Sequence, residues 1–337
     1  MEKADQRIAK WDNVRFFLIL SVVIGHLVDS NMGKSGLFRS IFLFIYSFHM
    51  PLFIFISGLF AKSALLSREK AINRAFIFMV LGISLSILML MTHFAFSDMP
   101  VFRLLSNDSV PWYMFVLAIY MPLTYFLRHL NMKYLLAAAV LLACAAGYDK
   151  SIGDFFYLSR AIVFYPFFLA GYWLDSEQLL KTLNRPAVRT VSVILLAAAF
   201  LICICFIDQI YGLRPYFTGR NPFRHKIGFI IRLGCYGVSA VMGACVISAV
   251  PNRRIKILTS AGMRTLQVYF LHQNCIIILK QSGFFELIKA AAGPSAGEAA
   301  VLAAGTALTL ILAAKILEYP FRQVMKIEVY PMRTDRS

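Results

Sequence analysis

Acidic side chains are scarce in this sequence. Asp and Glu together number 17 in 337 residues, against 34 Lys and Arg, and all charged residues make up only 15%. Soluble domains carry about 25%, so an ordinary water-soluble fold is excluded. The apolar runs are nearly free of Asp and Glu, which argues against a proton or sodium relay built on carboxylates. Common catalytic signatures are missing too: there is no P-loop, dinucleotide glycine fingerprint, HExxH or G-x-S-x-G elbow. Cys144, Cys203, Cys205, Cys235, Cys245 and Cys275 lie in or beside apolar runs, and none stands at ligand spacing from a histidine. They read as small buried hydrophobes, not as disulfides or zinc ligands, and no metal is expected. The net charge of +17 comes from short Lys and Arg clusters between apolar runs. It lacks the basic stripe interleaved with aromatics that would suggest a nucleic acid partner, so none is expected.

What is abundant is hydrocarbon. Hydrophobic residues are 59% of the chain and the mean hydropathy is +0.70. Apolar segments fall near residues 14–29, 39–61, 75–96, 111–128, 133–148, 158–175, 190–210, 228–250, 264–280 and 299–319. A membrane span needs about 20 residues. The pattern predicts an all-α, polytopic membrane helix bundle of about ten transmembrane helices. Several segments are short between charges: Arg15 and Asp29 bound the first, Lys133 and Asp149 the fifth, Arg160 and Asp175 the sixth. Such ends have to face protein or a water-filled cleft. Trp11, Asp12, Asn13 and Arg15 lead straight into the first run with no small-residue cleavage site after it, so it reads as a retained helix. There is no internal repeat. Residues 1–325 are expected to form one membrane domain, and 326–337 a short polar cytoplasmic tail.

Loop charges predict the orientation. With both termini inside, the inner loops hold Lys3, Arg7 and Lys10; Lys62, Arg68, Lys70 and Arg74; Arg128 and Lys133; Lys181, Arg185 and Arg189; Arg253, Arg254, Lys256 and Arg264; and Arg322, Lys326, Arg333 and Arg336. Most outer loops hold one or two cations, Arg103 among them. This is the positive-inside bias of a multi-pass protein, expected here in the plasma membrane. One outer loop, YGLRPYFTGRNPFRHK, breaks the bias with Arg214, Arg220, Arg224 and Lys226. It reads as a solvated lid, with an anion-binding role as the alternative.

Ionisable groups inside apolar helices mark candidate sites. Arg15 and His26 are eleven residues apart, which returns to within about 20° of the same helix face, about 16 Å along the axis. Asp12 lies one turn before Arg15. The stripe places a cation near the cytoplasmic mouth and an imidazole, the usual base near neutral pH, deeper in. His49 precedes Pro51 in the second apolar run, where proline frees the Ser47 carbonyl. His49 either serves the site or bonds that freed backbone. His272 and Gln273 form another mid-helix pair. Arg160 and Arg232 open the sixth and eighth helices, and snorkelling to the interface is the reading favoured for Arg232. His93, His129 and His225 lie near helix ends or in a loop and are assigned no role.

KWDNVRFFLILSVVIGH followed by FHMPLFIFISG resembles the opening of acyltransferase family 3, integral membrane O-acyltransferases, in a form similar to the fucose-4-O-acetylase-like branch. Later blocks agree in order: PWYM at 111–114, RAIVFYPFFLAGYWL at 160–174, LQVYFLHQ at 266–273 and LEYPFRQ at 317–323. The loop at 211–226 has no counterpart. The family's opening motif pairs an Arg and a His with ten residues between, matched by Arg15 and His26. The resemblance implies acetyl-CoA as cytoplasmic donor and a hydroxyl acceptor on a sugar, surface polysaccharide or glycolipid. The expected catalytic residues are His26, Arg15 and His49; Arg160, His272, Trp112 and Asp12 are expected to bind substrate. Direct transfer and an acyl-histidine intermediate both fit. The alternative class is a secondary transporter of a small polar solute, against which the missing inverted halves count.

Overall fold

The computed structural model describes residues 9–96, 110–153, 155–220 and 222–330. Lys3, Arg7, Arg103, Arg333 and Arg336, with the end of the tail, lie outside these. Among the described residues there is no strand. The helices are α1 (Ala9–Ser30), α2 (Gly36–Tyr46), α3 (His49–Leu59), α4 (Arg68–Phe96), α5 (Trp112–Leu127), α6 (Met132–Ala145), α7 (Leu158–Trp173), α8 (Ser176–Leu183), α9 (Pro186–Cys205), α10 (Ile207–Ile210), α11 (Arg214–Phe217), α12 (Gly228–Ala249), α13 (Lys256–Gly262), α14 (Thr265–Gln281), α15 (Phe284–Ala292), α16 (Pro294–Leu312) and α17 (Glu318–Val324).

The architecture is all-α and polytopic. Each expected apolar segment falls on a helix or on a broken pair of helices. Among the described residues, length and apolarity qualify five stretches as spans: Ala9–Ser30, Gly36–Leu59, Arg68–Phe96, Pro186–Cys205 and Gly228–Ala249. A sixth is a pair bent by 58°, Ala296–Leu312 with Lys315–Val324. The shorter expected segments stay helical, with 16 residues in α5, 16 in α7 and 17 in α14. Starts follow local chemistry. The Ser35 side chain accepts from the Phe38 amide at 3.0 Å to open α2, and Pro186 opens α9 where its missing N–H costs nothing.

The chain divides into two compact units, one from residues 1–49, 179–211 and 241–321, the other from 50–178, 212–240 and 322–337. In the first, α1 is the hub, packed by α2, α13, α14 and α16. Gly262 brings α13 onto α1 so closely that a Cβ there would collide with the Asp12 carbonyl. Lys10, fully buried, donates to the carbonyls of Ser248 (3.2 Å) and Val250 (2.5 Å). It thus closes the C-terminal end of α12 with a cation, the sign the helix dipole favours. Asn13 donates to Pro251 O and Arg253 O, both at 2.9 Å, and accepts from Thr259 Oγ1 at 2.6 Å.

In the second unit α4 packs on α5, and α5 and α6 pack on α7. Pro166 leaves the Ile162 carbonyl of α7 without its intrahelical donor. Phenol hydroxyls gather beside this point: Tyr120 donates to Ala161 O at 2.7 Å and Tyr236 to Val163 O at 2.5 Å. Further along, α3 and α7 cross backbone to backbone. A Cβ at Gly58 would strike the Phe168 carbonyl, and one at Gly171 the Phe55 carbonyl. Small residues at a crossing are how helices gain packing where lipid offers no hydrophobic drive. Gly171→Ala should therefore destabilise by about 1–3 kcal/mol, read as an earlier thermal transition of the detergent-purified protein. Gly234→Ala, with nothing among the described residues within 4 Å, should be neutral or stabilising.

Candidate active site

α1 runs unbroken from Ala9 to Ser30, so Arg15 and His26 keep the shared face that their spacing predicts. Asp12 is 2% exposed and takes a long ion pair from Arg15, Nη1 to Oδ1 at 3.4 Å, one turn along the helix. The guanidinium is held beside a carboxylate while its side chain stays 26% exposed. It is anchored and partly exposed.

His26 is half-buried and meets His272 of α14, ring centroids 5.3 Å apart and planes tilted by 48°. This is the one place in the first unit where two of the expected site histidines converge. His272 is fully buried. Its Nδ1 lies 3.1 Å from Val268 O and 2.8 Å from Tyr269 O. Carbonyl oxygens only accept, so Nδ1 carries the proton. Nε2 has no hydrogen-bond partner among the described residues. A second proton there would bury a charge with nothing to receive it, so Nε2 is a bare lone pair. Leaving such an acceptor unpaired costs about 1–3 kcal/mol. α14 itself is held fast at its start. Gln267 donates to Leu312 O at 2.6 Å and Ala314 O at 2.8 Å, and Arg264 Nε donates to Ala313 O at 2.7 Å. These bonds close the end of α16.

His49 stands at a break between helices rather than mid-helix as the sequence suggested. α2 stops at Tyr46, α3 starts at His49, and Pro51 sits in the first turn of α3, where it is tolerated. The His49 Nδ1–H donates to Ile45 O at 2.9 Å, and the ring packs edge-on to Tyr46 at 4.5 Å. The backbone atom that His49 bonds is Ile45 O, where the sequence had offered the Ser47 carbonyl. In the second unit Arg160 and Trp112 come together: the buried guanidinium lies 5.2 Å from the indole centroid, and the indole stacks on Phe164 at 5.3 Å. Trp112 is thus positioned by the same helix that carries Arg160.

The sequence did not show that its basic loop residues build a cavity. Lys70, Asn73 and Arg74 of α4 and Lys326 line a space of about 280 Å³, with Glu328 at its wall. Asn73 fixes that wall by donating to Tyr330 O at 2.8 Å and accepting from the amides of Val329 and Tyr330. The first part of the expected tail is therefore tied down.

Two expectations are corrected. Arg232 does not snorkel. It is fully buried, donates from Nη1 to Ala143 O at 2.8 Å and from Nη2 to Arg220 O at 3.2 Å, and lies 4.4 Å over the Phe223 ring. Ala143 is in the last turn of α6, whose unpaired carbonyls attract a cation. The cysteines are all free, but Cys205 is exposed and Cys275 half-buried, the other four being buried. The loop read as a solvated lid keeps Arg220, Arg224 and Lys226 exposed while its backbone is tied to its surroundings. The Phe223 amide donates to Gly147 O at 2.6 Å, Ser159 Oγ to Gly219 O at 2.6 Å and the Tyr148 hydroxyl to Lys226 O at 2.5 Å. Gly147 and Gly228 leave room for the Phe223 ring, which a Cβ at either would strike.

A helical chain with five stretches, among the described residues, long and apolar enough to cross a membrane belongs to the class of multi-pass membrane proteins. Comparison with known proteins gives the family. The acyltransferase domain of the Acyl_transf_3 family matches residues 8–317, and the chain belongs to that family. It is also similar to the nodulation protein NolL of Sinorhizobium fredii (strain NBRC 101917 / NGR234), with 26% identity over 224 residues, covering 61% of this chain. The match spans 58% of NolL, less than two thirds of its length. No solved structure matches the chain. Among the described residues no group of His, Cys, Asp and Glu is arranged to hold a metal ion.

Arg232→Met should keep the apolar volume but release the loop from α6. Tryptic cleavage after the exposed Arg220 and Arg224 should speed up by about tenfold or more, on the scale of one lost charged hydrogen bond, read by a digestion time course.

Proposed function

We propose that this protein is an integral membrane O-acyltransferase that moves an acetyl group from cytoplasmic acetyl-CoA to a hydroxyl of a sugar, surface polysaccharide or glycolipid. The observation that carries the reading is the His26 imidazole, on the α1 face shared with Arg15 and 5.3 Å from His272, within a chain that matches an acyltransferase family over 8–317. The loop charges favour both termini inside, in the plasma membrane.

Coenzyme A carries several phosphate charges on a slender pantetheine arm. Arg15, tethered by Asp12 but still partly open, supplies a cation for the phosphates. The thioester then reaches the depth of His26. As the acceptor oxygen attacks the thioester carbonyl, His26 takes its proton, a role that gives about 10² to 10⁴ in rate. The oxygen–acyl bond forms, the carbon–sulfur bond breaks, and the departing thiolate recovers the proton from the imidazolium. Arg160, lying over Trp112, is the candidate substrate-binding cation of the second unit. His49, already bonded to Ile45, contributes by holding the α2–α3 break in shape.

His26→Ala should lower acetylation of cell-surface glycans by about 10² or more, measured by mass spectrometry of glycans from cells expressing each form at equal membrane levels. Arg15→Ala should chiefly raise KM for acetyl-CoA. Near-normal turnover by His26→Ala would end this mechanism.

A further inference from the structure

The acyltransferase reading gives His26 a task but leaves His272 with an unexplained property. Its Nδ1–H is committed to Val268 O and Tyr269 O. Its Nε2 is a bare acceptor, buried and unpartnered among the described residues. It stands on a helix that Gln267 and Arg264 lock to the end of α16, so the ring does not drift to find a partner. Such an atom is an acceptor with a hydrogen bond still to receive. A donor that arrives with a ligand completes it.

We propose that His272 Nε2 accepts a hydrogen bond from a second hydroxyl of the acceptor substrate, next to the one that reacts at His26, so that the two imidazoles together select a sugar bearing neighbouring hydroxyls. The ring centroids lie 5.3 Å apart. Neighbouring oxygens on a sugar ring are spaced on the scale of a hydrogen bond, so one diol reaches both rings. The reacting hydroxyl gives its proton to His26. Its neighbour keeps its proton and donates it to Nε2. The two ring planes are tilted by 48° to one another. A lysine or ammonium donor is disfavoured at a fully buried nitrogen, because desolvating its charge is costly. A hydroxyl brings a donor without a charge. This inference rests on the acyltransferase reading for its acceptor, but the state of Nε2 does not depend on turnover.

The test has two arms. In the first, purified protein in detergent is given acetyl-CoA and a panel of methyl hexopyranosides with their monodeoxy analogues. The wild type should prefer an acceptor over its neighbouring-deoxy analogue by about tenfold or more in kcat/KM, the effect of one buried hydrogen bond. His272→Asn keeps an amide donor near the Nδ1 position for the two carbonyls but has nothing at Nε2. It should acetylate both sugars alike. Equal discrimination by wild type and variant overturns the proposal.

In the second arm, protein with ¹⁵N-labelled histidine is followed by NMR, His272 being assigned by the signal lost in His272→Asn. Nε2 should appear as an unprotonated nitrogen and shift toward the hydrogen-bonded position as ethane-1,2-diol is added. A protonated Nε2, or a signal that saturating diol does not move, overturns the proposal whatever the enzyme does. If no glycoside is acetylated while Nε2 still responds to the diol, the acyl-transfer reading fails and the hydroxyl site stands.

Discussion

A helix that ends inside packed protein leaves carbonyl oxygens with no water to bond. Several buried polar groups in this protein answer that constraint. Lys10 closes α12 through Ser248 and Val250, and Gln267 and Arg264 close α16 through Leu312, Ala313 and Ala314. Arg232 meets the last turn of α6, and His49 bridges the break after α2. Each cation or amide stands where a run of apolar helix stops short. The helices can be broken and short because side chains from neighbouring elements supply the donors that bulk solvent would.

That accounting separates structural from reactive polar groups. A buried side chain with all its bonds used holds the fold. One with an unused atom is available for chemistry. Lys10, Asn13 and Gln267 are of the first kind. His272 is of both kinds: one nitrogen serves backbone carbonyls of its own helix, and the other points its lone pair at nothing among the described residues. The nitrogen that is used fixes the state of the one that is not. Backbone carbonyls of its own helix orient the His272 ring beside His26.

Close packing completes the arrangement. Gly262 lets α13 rest on the α1 backbone, and Gly58 with Gly171 lets α3 and α7 touch. These crossings leave little freedom for the helices that carry Asp12, Arg15 and Arg160. An acyl transfer that depends on a proton moving over a hydrogen-bond length needs such fixed elements, since small displacements cost much of the rate.

Composition and apolar periodicity in the sequence determined the all-α membrane class, because hydrocarbon leaves few other structures for a chain so poor in charge. Spacing determined that Arg15 and His26 share a face, since both belong to one continuous helix and the period is local. Only the tertiary structure decided which polar residues are caps and which are left over. Arg232 and His49 look like site residues or snorkelling ends in a linear reading, and Lys10 looks like an ordinary loop cation. Their partners lie on other elements or across a break that no local pattern announces. The meeting of His26 with His272, 246 positions later in the chain, is likewise set by how α14 packs on α1, a property of surfaces in contact and not of either stretch alone.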